Sequence, residues 1–140
     1  MSRRRLHSSN YMTYQRFEDL PVWNEAIRLA ERVYALTEDA TFARQRSLSD
    51  QLERAAVSVS NNVAEGFERG TTQELLTFLY IARGSAGEVR SVLCLLERIG
   101  RFAPLKSQIS NLKSMAESCS VSCVPGRRTC RNRRSKGSGG

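Results

Sequence analysis

The sequence predicts an all-α protein folded as an antiparallel, up-and-down four-helix bundle. Apolar residues recur every three or four positions through most of the chain, and Pro, Gly and Ser/Thr signals separate the runs. The connections are short, which places consecutive helices antiparallel. At 140 residues with 40% apolar content, the chain can bury one core but not two large ones. A three-helix core with a loose fourth segment is the alternative fold.

The first helix is predicted over residues 20–37. Asp19 precedes Pro21, and a capping residue followed by proline in the first turn marks a helix start. Apolar residues then recur on one broad face, which predicts an amphipathic helix: Trp23, Ile27, Ala30, Val33 and Tyr34.

The second helix is predicted from Ser47 to about Glu65, with Ser47 and Asp50 as capping residues and Gly66 at its end. Its apolar residues form one seam, meaning a line of side chains along one face: Leu48, Leu52, Ala55, Val59 and Val63. This spacing is typical of helix bundles.

The third helix is predicted over residues 71–99, opened by Thr71 or Thr72 and closed by Gly100. One seam contains Leu75, Phe78, Leu79, Ala82, Ala86, Val89, Leu93 and Leu96. A second seam, about 120° around the helix, contains Ile81, Val92, Leu95 and Ile99. Two apolar seams predict a helix that is covered on two sides, either centrally in the bundle or at a subunit interface.

A weaker fourth helix is predicted to start at Pro104 and to continue through Leu105, Ile109, Leu112 and Met115. The helical pattern stops near Glu117, where the composition changes to Ser, Cys, Arg and Gly. The predicted organisation is therefore a basic, disordered extension over 1–14, a bundle domain over 15–117 and a basic, disordered tail over 118–140.

The net charge of +8 is concentrated in the ends of the chain. Residues 1–16 contain four arginines and no acid, and residues 127–140 contain six Lys/Arg and no acid, which leaves 12 basic against 14 acidic residues between them. Any electrostatic attraction to nucleic acid must therefore come from the tails or from a local patch on one face.

Composition and motifs argue against membrane, metal and enzyme classes. The sequence contains no apolar run long enough to span a bilayer and no secretory signal, so we expect a soluble, cytoplasmic protein. Cys94 falls in an apolar pattern and is predicted in the core, while the other cysteines lack the spacing of a zinc site. Nucleotide-binding loops and HExxH pairs are missing, so we predict no cofactor, no small-molecule substrate and no enzymatic activity.

Polar residues beside the seams are the candidate functional residues. A carboxylate beside an apolar seam needs a hydrogen-bond donor or an arginine, because leaving it unpaired costs several kcal/mol. We interpret six residues as an interhelical polar network or assembly determinant: Ser58, Asn62, Glu65, Gly66, Ser85 and Glu88. The alternatives are nucleic-acid contact and a carboxylate-based enzyme centred on Glu65 and Glu88. Four arginines could pair with these carboxylates or contact nucleic acid: Arg54, Arg69, Arg83 and Arg90.

Small residues point to self-association. Gly84, Gly87 and Ser91 cluster on one face of the third helix, and Val57 and Ala64 place apolar atoms opposite the seam of the second. Small residues permit close helix approach, and an apolar back face would otherwise be exposed. The alternative is that loops or the fourth helix cover these surfaces.

Three motifs carry a resemblance to a known family: DLPVW at 19–23, NNVAEG at 61–66 and ARGSAGE at 82–88. In this order and spacing, over residues 14–115, they resemble the bacterial four-helix bundle proteins encoded within intervening sequences of 23S ribosomal RNA genes. The resemblance implies a homopentamer without catalytic activity. It also implies similarity to the accessory variability determinant of diversity-generating retroelements, which works with a reverse transcriptase and binds nucleic acid through basic residues.

The chain departs from this family at both ends. The family's fourth helix continues in an amphipathic pattern, whereas here VSCVPGRRTCRNRRSKGSGG follows. This predicts a shifted reading frame or an altered end, which sequencing of the locus would test, and Met12 offers an alternative translation start.

Two function hypotheses remain beside the enzyme alternative. One is a self-associating helical protein that binds structured RNA or assists a nucleic-acid-handling partner. The other is a regulatory module, such as an antitoxin-like protein, whose exposed face meets a different protein.

Overall fold

The computed structural model, which describes residues 14–125, contains four α-helices: α1 (Pro21–Thr37), α2 (Arg46–Glu68), α3 (Thr72–Arg98) and α4 (Lys106–Ser122). Short 3-10 segments at Phe17–Asp19, Ala40–Phe42 and Gly100–Leu105 precede or connect them. The helices pack in the cyclic order α1, α2, α3, α4, and α4 closes against α1. The predicted all-α, four-helix bundle is confirmed, and the fourth helix is a full member of it.

The predicted seams line the core. Leu52, Val59 and Val63 of α2 are fully buried, as are Leu75, Ala82 and most of the first seam of α3. Phe42 and Phe102 close one end of the core with ring centroids 4.8 Å apart, where the α1–α2 and α3–α4 connections meet. Regular 3.6-residue periodicity therefore predicted the buried faces of α2 and α3. For α1 the predicted face was displaced, because Trp23 and Ile27 are half-buried and Tyr34 is exposed, and the core contains Val22, Ala26, Leu29 and Leu36 beside the predicted Ala30 and Val33.

Two predicted helix caps are wrong. Asp19 lies in the preceding 3-10 segment, and α1 starts with Leu20 as its N-cap and Pro21 as its first residue. The N-cap of α2 is Gln45, so Ser47 lies inside the helix. The predicted Thr71 cap of α3 is confirmed, because its Oγ1 accepts a hydrogen bond of 3.2 Å from the backbone N–H of Glu74.

Gly66 does not end α2, contrary to the sequence prediction. The helix continues to Glu68, and Gly66 is buried where α2 crosses α3. A Cβ added to Gly66 would lie 2.5 Å from Phe78 Cβ and 3.3 Å from Leu75 Cα, so the glycine permits the close approach of the two helices. The chain reverses at Gly70 instead, whose φ of 84° lies in the left-handed region.

The predicted end of the helical pattern near Glu117 is also wrong. Helix α4 continues to Ser122, and Cys119 and Cys123 are buried. They extend the buried series Ile109, Leu112 and Ala116 at three- and four-residue spacing, because a reduced cysteine packs as a small apolar residue. Residues 118–125 therefore belong to the bundle. The disorder predicted for the chain ends otherwise falls on residues 1–13 and 126–140, outside the described residues.

No helix within residues 14–125 is long and apolar enough to cross a membrane.

Candidate assembly surfaces and interhelical polar network

Three of the predicted network residues meet between α2 and α3. Ser58 Oγ and Ser85 Oγ share a hydrogen bond of 3.0 Å across the helix pair. Asn62 Nδ2 donates to the Ser58 carbonyl oxygen at 2.8 Å and to Ser58 Oγ at 3.0 Å. All three side chains are half-buried, so this network fixes the axial register of α2 against α3 at the edge of the core.

Glu65 and Glu88 lie outside this network, on the exposed surface. Glu65 Oε1 accepts from Arg69 Nη2 at 3.1 Å, one helical turn away. The Arg69 guanidinium also lies 5.3 Å from the centroid of the Phe78 ring. Catalytic carboxyl groups are normally buried, because burial raises the pKa toward the working pH. The exposed positions of Glu65 and Glu88 therefore give the enzyme hypothesis no support.

The four candidate arginines do not gather into one patch. Arg54 lies on the exposed face of α2, and Arg69 lies over Phe78 at the turn into α3. Arg83 and Arg90 are seven residues apart on one exposed face of α3. At 100° per residue, that face is about 140° around the helix from Phe78. The bundle surface therefore offers no concentrated arginine site from these residues.

An open acidic cavity of about 310 Å³ lies at the α1–α2 connection, and its lining includes Glu38, Asp39, Arg46, Asp50 and Glu53. Glu53 Oε1 accepts from Thr37 Oγ1 at 2.8 Å, and Asp39 accepts from the backbone N–H and hydroxyl of Thr41. These Thr41 hydrogen bonds hold the pKa of Asp39 below its usual value. Residues 14–125 contain no cluster of three or more His, Cys, Asp or Glu that could hold a metal ion.

The cysteines follow packing rather than a reactive site. Cys94, predicted in the core, is exposed on α3, close to the 3.0 Å ion pair between Lys113 and Glu97. Cys119 in α4 and Cys123, the residue that follows the helix, are both buried and lie one turn apart. The hydrogen bond from Cys119 lowers the pKa of the Cys123 thiol, and burial and the nearby Glu25 carboxylate act in the opposite direction.

The side of α3 opposite the core presents exposed apolar side chains and two glycines, with the polar residues Glu88 and Ser91 beside them. We call this the α3 outer face, made of Tyr80, Ile81, Gly84, Gly87 and Leu95. Tyr80, Ile81 and Leu95 are 57%, 48% and 47% exposed, although they are large apolar side chains. A Cβ added to Gly84 or Gly87 would meet nothing within 4 Å. The fourth helix therefore does not cover these glycines, and the second seam of α3 is covered only at Val92 and partly at Ile99.

A second apolar surface lies along the groove between α1 and α2. The hydrogen bond from Thr37 to Glu53 identifies the sides of the two helices that meet there. At 100° per residue, Tyr34 and Ile27 lie on that side of α1, and Val57 and Ala64 lie on that side of α2. Tyr34 is 47% exposed, and the others are half-buried. We call these four residues the α1–α2 face.

Residues 18–122 match the family model described as 23S rRNA-intervening sequence protein. The chain belongs to this family. The match contains all four helices, and the basic segments 1–13 and 126–140 lie beyond it. No curated protein matches the chain.

For this member of the 23S rRNA-intervening sequence protein family, sequence reasoning missed two features. The sequence indicated an apolar surface at Val57 and Ala64 of α2. It did not show that Tyr34 and Ile27 of α1 belong to the same surface. The acidic cavity was missed because it forms only where the α1–α2 connection packs beside the start of α2. A signal was available only for the first, since Ile27 and Tyr34 are seven residues apart on α1.

Proposed function

We propose that this 23S rRNA-intervening sequence protein is a non-enzymatic, self-associating helical scaffold. Copies join when the α3 outer face of one packs against the α1–α2 face of the next. The observation that carries this proposal is the pair of exposed glycines inside α3, which serve no packing role within one chain.

Glycine in the interior of an exposed helix costs about 1 kcal/mol relative to alanine. At Gly66 that cost is offset, because the missing Cβ lets Phe78 of α3 pack closely against α2. Gly84 and Gly87 have no such neighbour. A helix from another copy supplies the missing contact, because a face without Cβ atoms lets two backbones approach closely. Tyr80, Ile81 and Leu95 border the glycines, and about half of each side chain is exposed to water. Contact with a second copy would bury this apolar surface.

The two faces have different compositions and lie on different sides of the bundle, so they favour a head-to-tail interface. Such heterologous interfaces produce closed rings when the rotation between copies closes. A two-fold dimer through α3 alone would leave the α1–α2 face exposed. We therefore propose a ring, and the pentamer implied by the family resemblance is our expected form.

The test is the absolute mass in solution by light scattering, relative to a chain mass of 15.8 kDa. Leu95→Glu and Tyr34→Glu each place a charge on an exposed apolar residue of one face, and we expect both to give monomers. Ser110→Glu places the same charge on an exposed site of α4 and should leave the assembly intact. A monomeric wild-type protein would overturn the proposal.

Mixing the two variants tests the head-to-tail geometry. Leu95→Glu retains a functional α1–α2 face, and Tyr34→Glu retains a functional α3 outer face. In a heterologous arrangement the mixture forms one intact interface and gives a heterodimer of twice the chain mass. If Tyr34→Glu instead remains a dimer by itself, α3 pairs with α3 and the ring is excluded. Co-purification of one different protein in fixed stoichiometry with a monomeric chain would favour the alternative of a regulatory interaction module.

A further inference from the structure

The open cavity at the α1–α2 connection has an excess of negative charge. Its lining contains four carboxylates and one cation: Glu38, Asp39, Asp50, Glu53 and Arg46. Arg46 forms no ion pair with these carboxylates in the described part of the chain. Four carboxylates against one cation leave three uncompensated negative charges at this opening.

The cavity continues the α1–α2 face toward the helix connections. On α1, Tyr34 of the face is one turn before Glu38 of the cavity. On α2, Val57 of the face is one turn after Glu53 of the cavity. The Thr37 hydroxyl, which donates to Glu53 at 2.8 Å, lies where the face and the cavity meet. A helix that packs on the α1–α2 face therefore reaches the acidic cavity at one end of its contact.

The α3 outer face ends in a positive charge. Arg98 is the last residue of α3 and is exposed. It follows Tyr80 by five full turns at 100° per residue, so the two residues lie in the same direction from the helix axis. It is also about one turn beyond Leu95. Within residues 14–125, no carboxylate forms an ion pair with Arg98.

Arg98 and the acidic cavity lie at the same end of the bundle. Phe42 lines the cavity, and its ring centroid is 4.8 Å from that of Phe102, which follows Arg98 by four residues. A closed ring relates its copies by rotation alone, so each residue has the same height along the ring axis in every copy. Packing of the α3 outer face on the α1–α2 face of the next copy therefore brings Arg98 to the level of that copy's cavity.

We propose that the acidic cavity is the docking site for Arg98 of the next copy, and that this contact sets the direction in which copies pack. The inference rests on the proposed function, because it assigns the polar contact of the same interface. A guanidinium suits the cavity, since its five donors can bind more than one carboxylate at once. A metal ion fits less well, because residues 14–125 contain no group of three or more carboxylate, thiol or imidazole side chains that could hold one.

Opposite charges across an interface fix its register and disfavour arrangements that leave a charge unpaired. A two-fold contact between two α3 outer faces would leave the negative charge of both cavities uncompensated. The head-to-tail contact pairs one arginine with one cavity at every interface of the ring. The apolar faces then supply the buried area, and Arg98 selects which faces meet.

The experiment measures the dissociation constant of the assembly by light scattering over a concentration series, at low and at high salt. Arg98→Glu replaces attraction to the cavity by repulsion. Arg90→Glu is the matched control, because it makes the same change of charge on α3 about 80° around the helix from Arg98. We expect Arg98→Glu to weaken assembly about tenfold or more relative to this control at low salt, and by less at high salt, where charges are screened.

A charge exchange tests the pair itself. Asp50 is exposed and lines the cavity, so Asp50→Arg alone should also weaken assembly. Combining it with Arg98→Glu should make assembly about fivefold or more tighter than in Arg98→Glu alone, because opposite charges face each other again. Combining Asp50→Arg with Arg90→Glu should give no such recovery.

The outcomes separate this inference from the proposed function. A wild-type assembly that Arg98→Glu weakens no more than Arg90→Glu does would overturn the Arg98 contact and leave the apolar interface standing. Failure of the charge exchange to recover assembly would have the same meaning. A wild-type protein that is monomeric throughout the concentration series would overturn both proposals.

Discussion

Gly66 tests the packing of α2 on α3 more directly than any other residue of the bundle. In Gly66→Ala the new Cβ would lie 2.5 Å from Phe78 Cβ, about 1 Å inside the usual contact distance of about 3.5 Å. Phe78 cannot relieve the overlap by rotating its side chain, because the Cβ position is fixed by the backbone. The helices must move apart, and overpacking of this kind costs about 1–3 kcal/mol.

The same substitution also has a favourable effect, since alanine is a better helix former than glycine by about 1 kcal/mol. Gly84→Ala shares this gain and meets nothing within 4 Å, so it is the matched control. We expect Gly84→Ala to stabilise the monomer by about 1 kcal/mol and Gly66→Ala to be about 1–3 kcal/mol less stable than that control.

The assay is urea unfolding followed by far-UV circular dichroism, at a concentration where light scattering gives the monomer mass, because self-association would otherwise add to the apparent stability. If both variants are stabilised equally, the two helices do not approach closely at Gly66, and the account of that glycine is wrong.

Three further predictions concern the network, the α1–α2 connection and the end of α4. Ser58→Ala removes the hydroxyl that joins Ser85 and Asn62 and should lower the unfolding free energy by about 1 kcal/mol, whereas Ser114→Ala on the exposed side of α4 should change it by less than about 0.5 kcal/mol. Equal effects would contradict a network at this position. The lowered pKa of Asp39 makes its hydrogen bonds to Thr41 fully stabilising above the pKa of an unfolded aspartate, and this contribution is lost as the pH falls through the folded-state pKa. Asp39→Asn should therefore make the unfolding free energy fall less steeply as the pH is lowered into the acidic range. An unchanged dependence on pH in that range would refute this role of Asp39. A chain that ends after Glu117 loses the buried Cys119 and Cys123 and should be about 2–3 kcal/mol less stable, while one that ends after Pro125 should match the full chain in thermal unfolding. Equal melting of both truncations would show that the last turn of α4 adds nothing.

The sequence predicted the helices well and their ends poorly, for a physical reason. The buried face follows from periodicity, so Leu52, Val59 and Leu75 could be assigned to the core from spacing alone. A helix end depends on which groups satisfy a few backbone donors and acceptors. A glycine such as Gly66 is a common signal for a helix end. Its actual role depends on the contact with Phe78 of the next helix, which local sequence signals do not predict.

The candidate residues show the same division. Ser58 and Asn62 are one turn apart on α2, so their proximity follows from the sequence, whereas the meeting of Ser58 with Ser85 requires the register of α2 against α3. Glu65 and Glu88 were grouped with them because they border the same seams. The few tens of degrees that separate a half-buried serine from an exposed glutamate exceed what an ideal helical projection resolves.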